Sequence, residues 1–403
     1  MTKSVAGSRL DVVVLGGAGH VGLPLSLVLA ESGARVGILD RDGAKLERLG
    51  AGEMPFLEPG APALLARVLA SGRLELSTDS AMVARADAVI VVIGTPVDEF
   101  LGPSMTVFER SVDEIAPHIT DGALVVLRST VYPGTTAYVQ QRFEQRGRHV
   151  AVAVCPERIA EGHALEELRS LPQIVGADDE AAGDRAQALF GRIASEFVRT
   201  STREAELAKL FTNTWRYMKF AVANQFLMIA TQAGVDYANV LRAIRLDYPR
   251  AADLPGPGFA AGPCLFKDTM QLAAFTSDHF PLGQAAVQVN EGLPAFVVER
   301  LRARYGDLTG RRIGILGMAF KAESDDSRAS LSYKLRKLLI WAGASVLCTD
   351  PYVADDRLLP LDAVVSGSDI LVLGVPHQAY VGLPIGGRDL VDVWGALGEG
   401  IRL

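Results

Sequence analysis

Short unbroken apolar runs recur along the chain, each closing on glycine or a small polar residue and each followed by a helical spacing of apolar positions. Asp11-Val-Val-Val-Leu15 runs into Gly16-Gly-Ala-Gly-His-Val-Gly22, after which Leu25, Leu27, Val28 and Leu29 mark a helix. Arg35-Val-Gly-Ile-Leu-Asp40 is the next run, then Asp87 to Ile93 leading into Gly94-Thr95-Pro96, and Ala123 to Leu127 leading into Arg128-Ser129-Thr130. Strands that are apolar on both faces and alternate with helices predict a parallel sheet covered on both sides. The end of the chain repeats the grammar in Arg312 to Gly317, Ser345 to Asp350 and Asp369 to Pro376, so that Asp350 corresponds to Asp40 and Gly374-Val375-Pro376 to Gly94-Thr95-Pro96. The fold expected is α/β, with two Rossmann-like doubly wound parallel-sheet domains, residues 1–200 and 301–403, joined by a helical segment, 201–300. Ligands of such sheets bind outside the carboxyl ends of the strands.

The helical segment opens on Ser201-Thr-Arg-Glu204, a capping box whose hydroxyl and carboxylate satisfy open N–H groups. Leu207, Leu210, Phe211, Trp215, Met218, Val222, Phe226 and Ile229 carry the pattern to Gly234, a C-terminal stop. At 1.5 Å per residue such a helix is about 45 Å long. It is apolar over most of its circumference, which predicts burial on several sides and a second copy of the chain as one cover, a homodimer.

Composition narrows the ligand. The 403 residues carry a formal charge of −7, which argues against nucleic acid, whose binders show a basic face. An anionic substrate must then be held by a few local cations. No apolar run reaches the roughly 20 residues that span a bilayer, and Met1 to Leu10 is polar and lacks the apolar core of a signal peptide. Cys155, Cys264 and Cys348 are sparse and odd in number, without zinc spacing, so no metal is expected and a reduced cytoplasm is the expected setting.

Gly17-x-Gly19-x-x-Gly22 follows a strand and opens a helix. These glycines allow the tight turn and the close approach of a pyrophosphate, with the helix N-terminus offering N–H groups. His20 and Val21 fill the loop. Asp40 ends the second strand about 20 residues on, where a carboxylate binds a ribose 2′-hydroxyl and repels a 2′-phosphate. NAD is the expected cofactor, although Arg41 stands next door.

Three segments place polar groups against apolar surroundings. Lys209 and Asn213 lie four apart on one helix face. Pro257 to Asp268 is a Gly/Pro-rich turn that delivers Cys264, with Lys267 and Asp268 behind it. Val154 to Gly162 is a strand end that carries Glu157 and Glu161.

In these segments the chain resembles the UDP-glucose/UDP-N-acetylhexosamine 6-dehydrogenases, over nearly its whole length. Besides the glycine fingerprint, the matches are Pro55-Phe-Leu-Glu-Pro-Gly60, Gly94-Thr95-Pro96, Arg128-Ser129-Thr130 with Pro133-Gly-Thr135, and Pro156-Glu157-Arg158. Further on come Glu206-x-x-Lys209-x-x-x-Asn213, Gly262-x-Cys264-x-x-Lys267-Asp268, Gly317-x-Ala-Phe320-Lys321, Asp325-Asp-x-Arg328 and Asp350-Pro351. The resemblance implies oxidation of the C6 alcohol of a UDP-hexose to a carboxylate in two hydride transfers, UDP-glucose first and a UDP-N-acetylhexosamine as the alternative. It makes Cys264 the nucleophile that holds the aldehyde as a thiohemiacetal and then a thioester, its thiolate favoured by a cation such as Lys209 or Lys267. It makes Lys209 and Asn213 donors to the C6 oxygen, with Thr130, Glu157, Glu161 and Asp268, in unranked roles, moving protons and placing water. It puts Lys45, Thr95, Ser129, Thr130 and Arg328 with the cofactor. Glu157, Arg158, Arg250, Phe259, Gly262, Phe320 and Lys321 join Lys209 and Asn213 around the substrate, Arg250 offered across a subunit interface.

The sequence departs from the family at Ala261, where a second glycine is usual. Arg158 resembles the acetamido-sugar branch, whereas Glu161-Gly162 and Lys267-Asp268 resemble the glucose branch. A hydroxyacid or 6-phosphogluconate-type dehydrogenase has no use for a loop cysteine or a second α/β domain. A silent nucleotide-sugar-binding protein would be free to lose Cys264, Lys209, Asn213 and Asp268.

Overall fold

The computed structural model describes residues 8–95, 106–259, 262–277 and 279–397. Pro96, Ala261 and the start of the chain up to Gly7 lie outside the described residues. The chain divides into two compact units, 1–211 and 212–403.

The first unit is built on eight strands: β1 (Leu10–Leu15), β2 (Val36–Leu39), β3 (Leu74–Ser77), β4 (Ala86–Val91), β5 (Leu124–Leu127), β6 (Ala151–Val154), β7 (Gln173–Gly176) and β8 (Phe197–Thr200). Their order is β3-β2-β1-β4-β5-β6-β7-β8. The first six are parallel in the arrangement that binds dinucleotides. The period of two along each strand explains the continuous apolar runs. Val12, Val14, Ile38, Ile90 and Val126 enter one core, while Val13, Leu15, Val89, Val91 and Val125 enter the other. Between β6 and β7 the sheet turns antiparallel through one bridged pair, Val154 with Gly176, which makes this its weakest seam.

The second unit holds a smaller parallel sheet of β9 (Arg312–Leu316), β10 (Ser345–Thr349), β11 (Ile370–Leu373) and β12 (Asp389–Val391), in the order β10-β9-β11-β12. β9 lies between β10 and β11 as β1 lies between β2 and β4, which is the repeat read in the sequence. Part of the helical layer shares a core with the sheet, Leu227, Tyr237, Leu293 and Val297 packing with Ile313 and Ile315, while Tyr217, Ala221, Leu265 and Ala286 form a small cluster of their own.

The central helix is Thr202–Gln232. Its capping box forms, Ser201 Oγ donating to Glu204 at 2.7 Å and the Ser201 N–H at 2.9 Å. Bonds from the Thr200 hydroxyl and from the Ser201 N–H and hydroxyl hold the Glu204 carboxyl down at about 2. At the other end Gly234 takes a φ of +71°, with Val235 N on Ala230 O and Gly234 N on Thr231 O, a Schellman stop. At 100° per residue Glu206, Lys209, Asn213 and Asn224 fall on one side, and all four are buried. Phe211, Trp215, Val222, Phe226 and Ile229 fall on the opposite side and are 41–58% exposed. The buried side is mixed, because Leu210, Tyr217, Ala221 and Leu227 share it with these polar groups. Among the described residues no helix is long and apolar enough to cross a membrane.

Both sheets use the same turn after their first strand. Gly16 has φ +79° and Gly317 φ +97°, and a Cβ on either would strike the backbone of the strand-end segment beside it, at Val92 O or Val375 N. The carboxylate at the next strand end is used differently. Asp350 is fully committed within its unit. Oδ2 accepts from Met318 N (2.6 Å), Ala319 N (2.9 Å) and His377 Nε2 (3.1 Å), and Oδ1 from Tyr352 N and Val353 N. Burial alone would raise the Asp350 carboxyl, but these donors outweigh it and hold it at about 2. Its contribution to stability is therefore complete above its ordinary range near 3.8 and is lost as pH falls through about 2. Asp350→Ala, which strands five donors, is expected to lower the unfolding free energy by about 3–5 kcal/mol near neutral pH. Urea denaturation followed by circular dichroism measures this.

Candidate active site

In the first unit the glycine loop joins β1 to the helix Gly22–Glu31. The turn explains two of its glycines: a Cβ on Gly17 would lie 2.7 Å from Val14 O, and one on Gly22 would lie 2.5 Å from Gly16 O. Gly19 is different, because a Cβ there would meet only Gly16 O at 3.6 Å. The protein's own packing does not require that glycine, whereas a pyrophosphate approaching the loop and the helix N-terminus behind it does. Asp40 Oδ2 accepts from Ala18 N at 3.0 Å and Oδ1 from Asp42 N at 3.1 Å. The carboxylate is thereby fixed beside the loop, and unlike Asp350 it keeps lone pairs for a ribose hydroxyl. The loop and Asp40 thus fit a dinucleotide.

Around this loop the chemistry-bearing segments are tied down by carboxylates. His20 stacks on Phe56 (4.1 Å between centroids), and its Nδ1 is 4.0 Å from Glu161 Oε1. Glu58 accepts from Gly162 N (2.8 Å) and Ala164 N (2.9 Å), capping the short helix Ala164–Ser170 just after Glu161. Thr95 Oγ1 donates to Thr130 O at 2.5 Å, and Ser129 Oγ accepts from Ile93 N at 2.7 Å, so both hydroxyls lock the ends of β4 and β5 together. Glu206 accepts from Gly134 N, Thr136 N and Thr136 Oγ1 at 2.6–2.8 Å, which explains the Pro133-Gly-Thr135 turn. Lys209 follows one turn later on the central helix and is buried. Lys45 is exposed and pairs with Asp42 at 3.5 Å. Val21 is the N-cap of the first helix. Arg158 donates to Pro172 O.

In the second unit Cys264 is the N-cap of the helix Leu265–Phe275, and it is exposed. The sulfur therefore lies at the N-terminal, positive end of that helix. One turn on, Asp268 is fully buried. It accepts from Asn213 Nδ2 at 2.5 Å and pairs with Lys267 Nζ at 2.5 Å. Gly262 has φ +110°, and a Cβ there would come within 2.7 Å of the Phe320 ring, so the cysteine turn and the Phe320-Lys321 segment pack face to face. Lys321 Nζ lies 5.7 Å from the Phe320 ring centre. Asn224 binds both the N–H and the carbonyl of Gly258 (2.9 and 3.0 Å), holding the start of the turn to the central helix. Phe259 is buried edge-on to Trp394. Arg328 forks onto Asp326, with Nη2 to Oδ2 at 2.5 Å. Arg250 is exposed over the Tyr248 ring. The other two cysteines are core residues: burial pushes the Cys155 thiol up to about 12 and the Cys348 thiol up to about 11.

Three family models cover this arrangement in chain order. The NAD binding domain of the UDP-glucose/GDP-mannose dehydrogenase family matches residues 11–194, the central domain 203–292 and the UDP binding domain 314–395. The chain belongs to the UDP-glucose/GDP-mannose dehydrogenase family. It is an NAD-dependent nucleotide-sugar dehydrogenase. It is 31% identical to the UDP-N-acetyl-D-mannosamine dehydrogenase of Methanocaldococcus jannaschii, over 94% of this chain and 88% of that protein. It is 34% identical to the UDP-glucose 6-dehydrogenase AglM of Haloferax volcanii, over 88% and 87%. Among solved structures, a UDP-glucose dehydrogenase from Pyrobaculum islandicum superposes with a TM-score of 0.91 at 30% identity, covering 98% of this chain and 97% of that one.

The geometry adds partners to several of the expected site residues. Asn213 gives one amide hydrogen to Asp268 and has a second. Lys267 is paired with Asp268, and the helix N-terminus supplies positive field at Cys264. Ser129 bonds to backbone. Glu157 has both oxygens occupied, by Arg128 Nε and Nη2 on one and by Arg158 N and Ile159 N on the other. Sequence reasoning assigned no role to Glu58, Arg128, Asn224 or Asp326. Glu58 and Asn224 stand as single polar residues among apolar or Gly/Pro neighbours, which is the signal that could have found them; Arg128 and Asp326 lie beside other polar residues and carry no such signal.

Asp40→Asn keeps the acceptor for Ala18 N while removing the charge. The wild type is expected to prefer NAD over NADP in kcat/KM by at least about tenfold, or about 1.4 kcal/mol. The variant is expected to narrow that ratio mainly by improving NADP. Initial rates with both cofactors check it.

Proposed function

We propose that this dehydrogenase oxidises C6 of a UDP-hexose to the carboxylate with Cys264 as covalent nucleophile. The observation that carries the reading is Cys264 at a helix N-cap, one turn from a buried Asp268 held by Asn213 and Lys267. NAD, which the glycine loop and Asp40 would hold, would supply the hydride acceptor for each of the two oxidations. Lys209 stabilises the C6 oxygen as it becomes an alkoxide, and Asp268, set by Asn213, takes the departing proton. The Cys264 thiolate adds to the aldehyde carbon, forming a C–S bond and a thiohemiacetal. Loss of the second hydride leaves a thioester. Glu161 and Thr130 place the water that attacks it, the C–S bond breaks, and the thiolate returns with the uronate as product. Lys321, beside Phe320, and Arg158 serve the substrate's anionic and polar groups.

UDP-glucose is the first substrate, supported by the likeness to the Haloferax and Pyrobaculum enzymes. UDP-N-acetylmannosamine is the second reading, favoured by Arg158 and by the Methanocaldococcus relative. The exposed apolar stripe from Phe211 to Ile229 supports a homodimer through the central helix, with Arg250 offered to the neighbouring copy. A reducing cytoplasm suits a chemistry that depends on one thiolate.

A panel of UDP-sugars assayed at 340 nm identifies the substrate. Two NADH per sugar and no free aldehyde are expected; one NADH with aldehyde released contradicts the scheme. Cys264→Ser is expected to lose most turnover, while Cys155→Ser and Cys348→Ser keep the chemistry. Lys209→Ala is expected to cut kcat by about a hundredfold or more, as for one oxyanion donor worth about 3–4 kcal/mol, with little change in KM. A rise in KM alone removes Lys209 from the reacting centre.

A further inference from the structure

Glu323, two residues after Lys321, has a φ of +53°, a backbone conformation that few residues other than glycine, asparagine and aspartate adopt. Three bonds hold it there. Its N–H donates to His377 Nδ1 at 3.1 Å, its Oε1 accepts from Gln378 N at 2.7 Å, and its Oε2 accepts from the Tyr352 hydroxyl at 2.6 Å. His377 is the hub of this arrangement. Its side chain is wholly buried, with the rings of Tyr352 and Tyr380 edge-on at 5.2 and 5.7 Å. Because Nδ1 accepts from Glu323, the ring hydrogen belongs on Nε2, which meets Asp350 Oδ2 at 3.1 Å. One imidazole therefore joins the segments that follow β9, β10 and β11.

We propose that His377 is a positioning residue for nucleotide binding, which through the Glu323 N–H locks the Phe320-Lys321 turn in the conformation that receives an anionic group of the UDP-sugar. The inference rests on the reading that Phe320 and Lys321 serve the substrate. The near side of the turn is anchored by Met318 N and Ala319 N on Asp350, by Ser330 Oγ on Ala319 O (2.9 Å) and by Phe320 N on Asp326 O (2.9 Å). Lys321 and Ala322 run from those anchors to Glu323, so the Glu323 bonds fix the direction in which the chain leaves the lysine. A residue in a sparsely populated conformation persists only where its surroundings over-determine it, and such residues gather at ligand-binding sites. A turn ordered beforehand loses less freedom when the ligand arrives. The two ring nitrogens carry separable duties. Nε2 completes the shell of donors around Asp350, which is a matter of stability, and Nδ1 holds Glu323, which is a matter of the turn.

Asparagine and glutamine divide these duties, because the shorter amide reaches the place of Nδ1 and the longer one the place of Nε2. The test measures the Kd of the full-length enzyme for UDP by isothermal titration calorimetry, KM for the UDP-sugar and for NAD, and Tm. His377→Gln keeps a donor for Asp350 and loses the acceptor for Glu323. It is expected to keep a Tm close to that of the wild type and to raise Kd for UDP and KM for the UDP-sugar by about tenfold, with KM for NAD unchanged. His377→Asn keeps the acceptor and loses the bond to Asp350, so its Tm is expected to fall while its Kd for UDP stays within about threefold of the wild type. A folded His377→Gln enzyme that binds UDP as tightly as the wild type overturns the proposal, as does a loss of UDP binding that follows the fall in Tm across both variants. Should His377→Gln fail to fold, His377→Asn decides alone, because a Kd raised about tenfold with the acceptor still in place overturns the proposal and an unchanged Kd supports it. Lys321→Ala separates the two levels. If it binds UDP normally while the His377 variants divide as expected, the role given to Lys321 fails and the positioning of the turn stands.

Discussion

The structure depends on a helix that buries a stripe of polar groups. Glu206, Lys209, Asn213 and Asn224 form a stripe along the central helix, and buried polar groups are tolerated only when each finds a partner. That demand organises the loops. Glu206 fixes the turn before the helix Thr135–Gln145, Asn213 fixes Asp268, and Asn224 clasps Gly258 at the head of the cysteine turn. The loops lack a regular ladder of their own, so their conformations are set by bonds to a rigid element, which is what a reacting group needs. The apolar side of the same helix faces outward as a consequence.

A second economy lies in the repeated sheet. Both units use a glycine of positive φ after the first strand and an aspartate at the end of the second, yet the two carboxylates diverge. Asp40 gives each oxygen to one backbone N–H and keeps acceptor capacity, while Asp350 is consumed by four backbone N–H groups and His377. One copy of the motif can read a ribose, and the other has become a stitch in its own fold. This is a physical reason why a duplicated architecture need not bind the same ligand twice.

Much of this was legible in the residues. The apolar runs marked the strands because a sheet covered on both faces needs both parities apolar, and Val12 and Val13 do enter different cores. Ser201, Glu204 and Gly234 marked the ends of the central helix because caps are local chemistry. The glycine fingerprint and Cys264 were legible because few residues serve those places. What could not be read was the pairing of side chains distant in sequence. Glu157 and Glu161 look alike in a strand-end motif, and only in the fold is Arg128, 29 residues earlier, found forked onto Glu157. Asn213 reads only as a donor to substrate, and the bond from its amide to Asp268, 55 residues on, appears only in the fold. A lysine that could serve Cys264 is visible in the sequence as a charge, whereas its place at a helix N-cap appears only once the turn is folded.

In the proposed reaction the sugar is held by a covalent bond to one sulfur between its two oxidations. Acid-quenching the enzyme during turnover with UDP-sugar and NAD, followed by peptide mass spectrometry, observes that bond directly. A UDP-uronosyl adduct is expected on the peptide containing Cys264, one that disappears when turnover is allowed to finish. Unmodified Cys264 throughout turnover, with the aldehyde found free in solution, would contradict it.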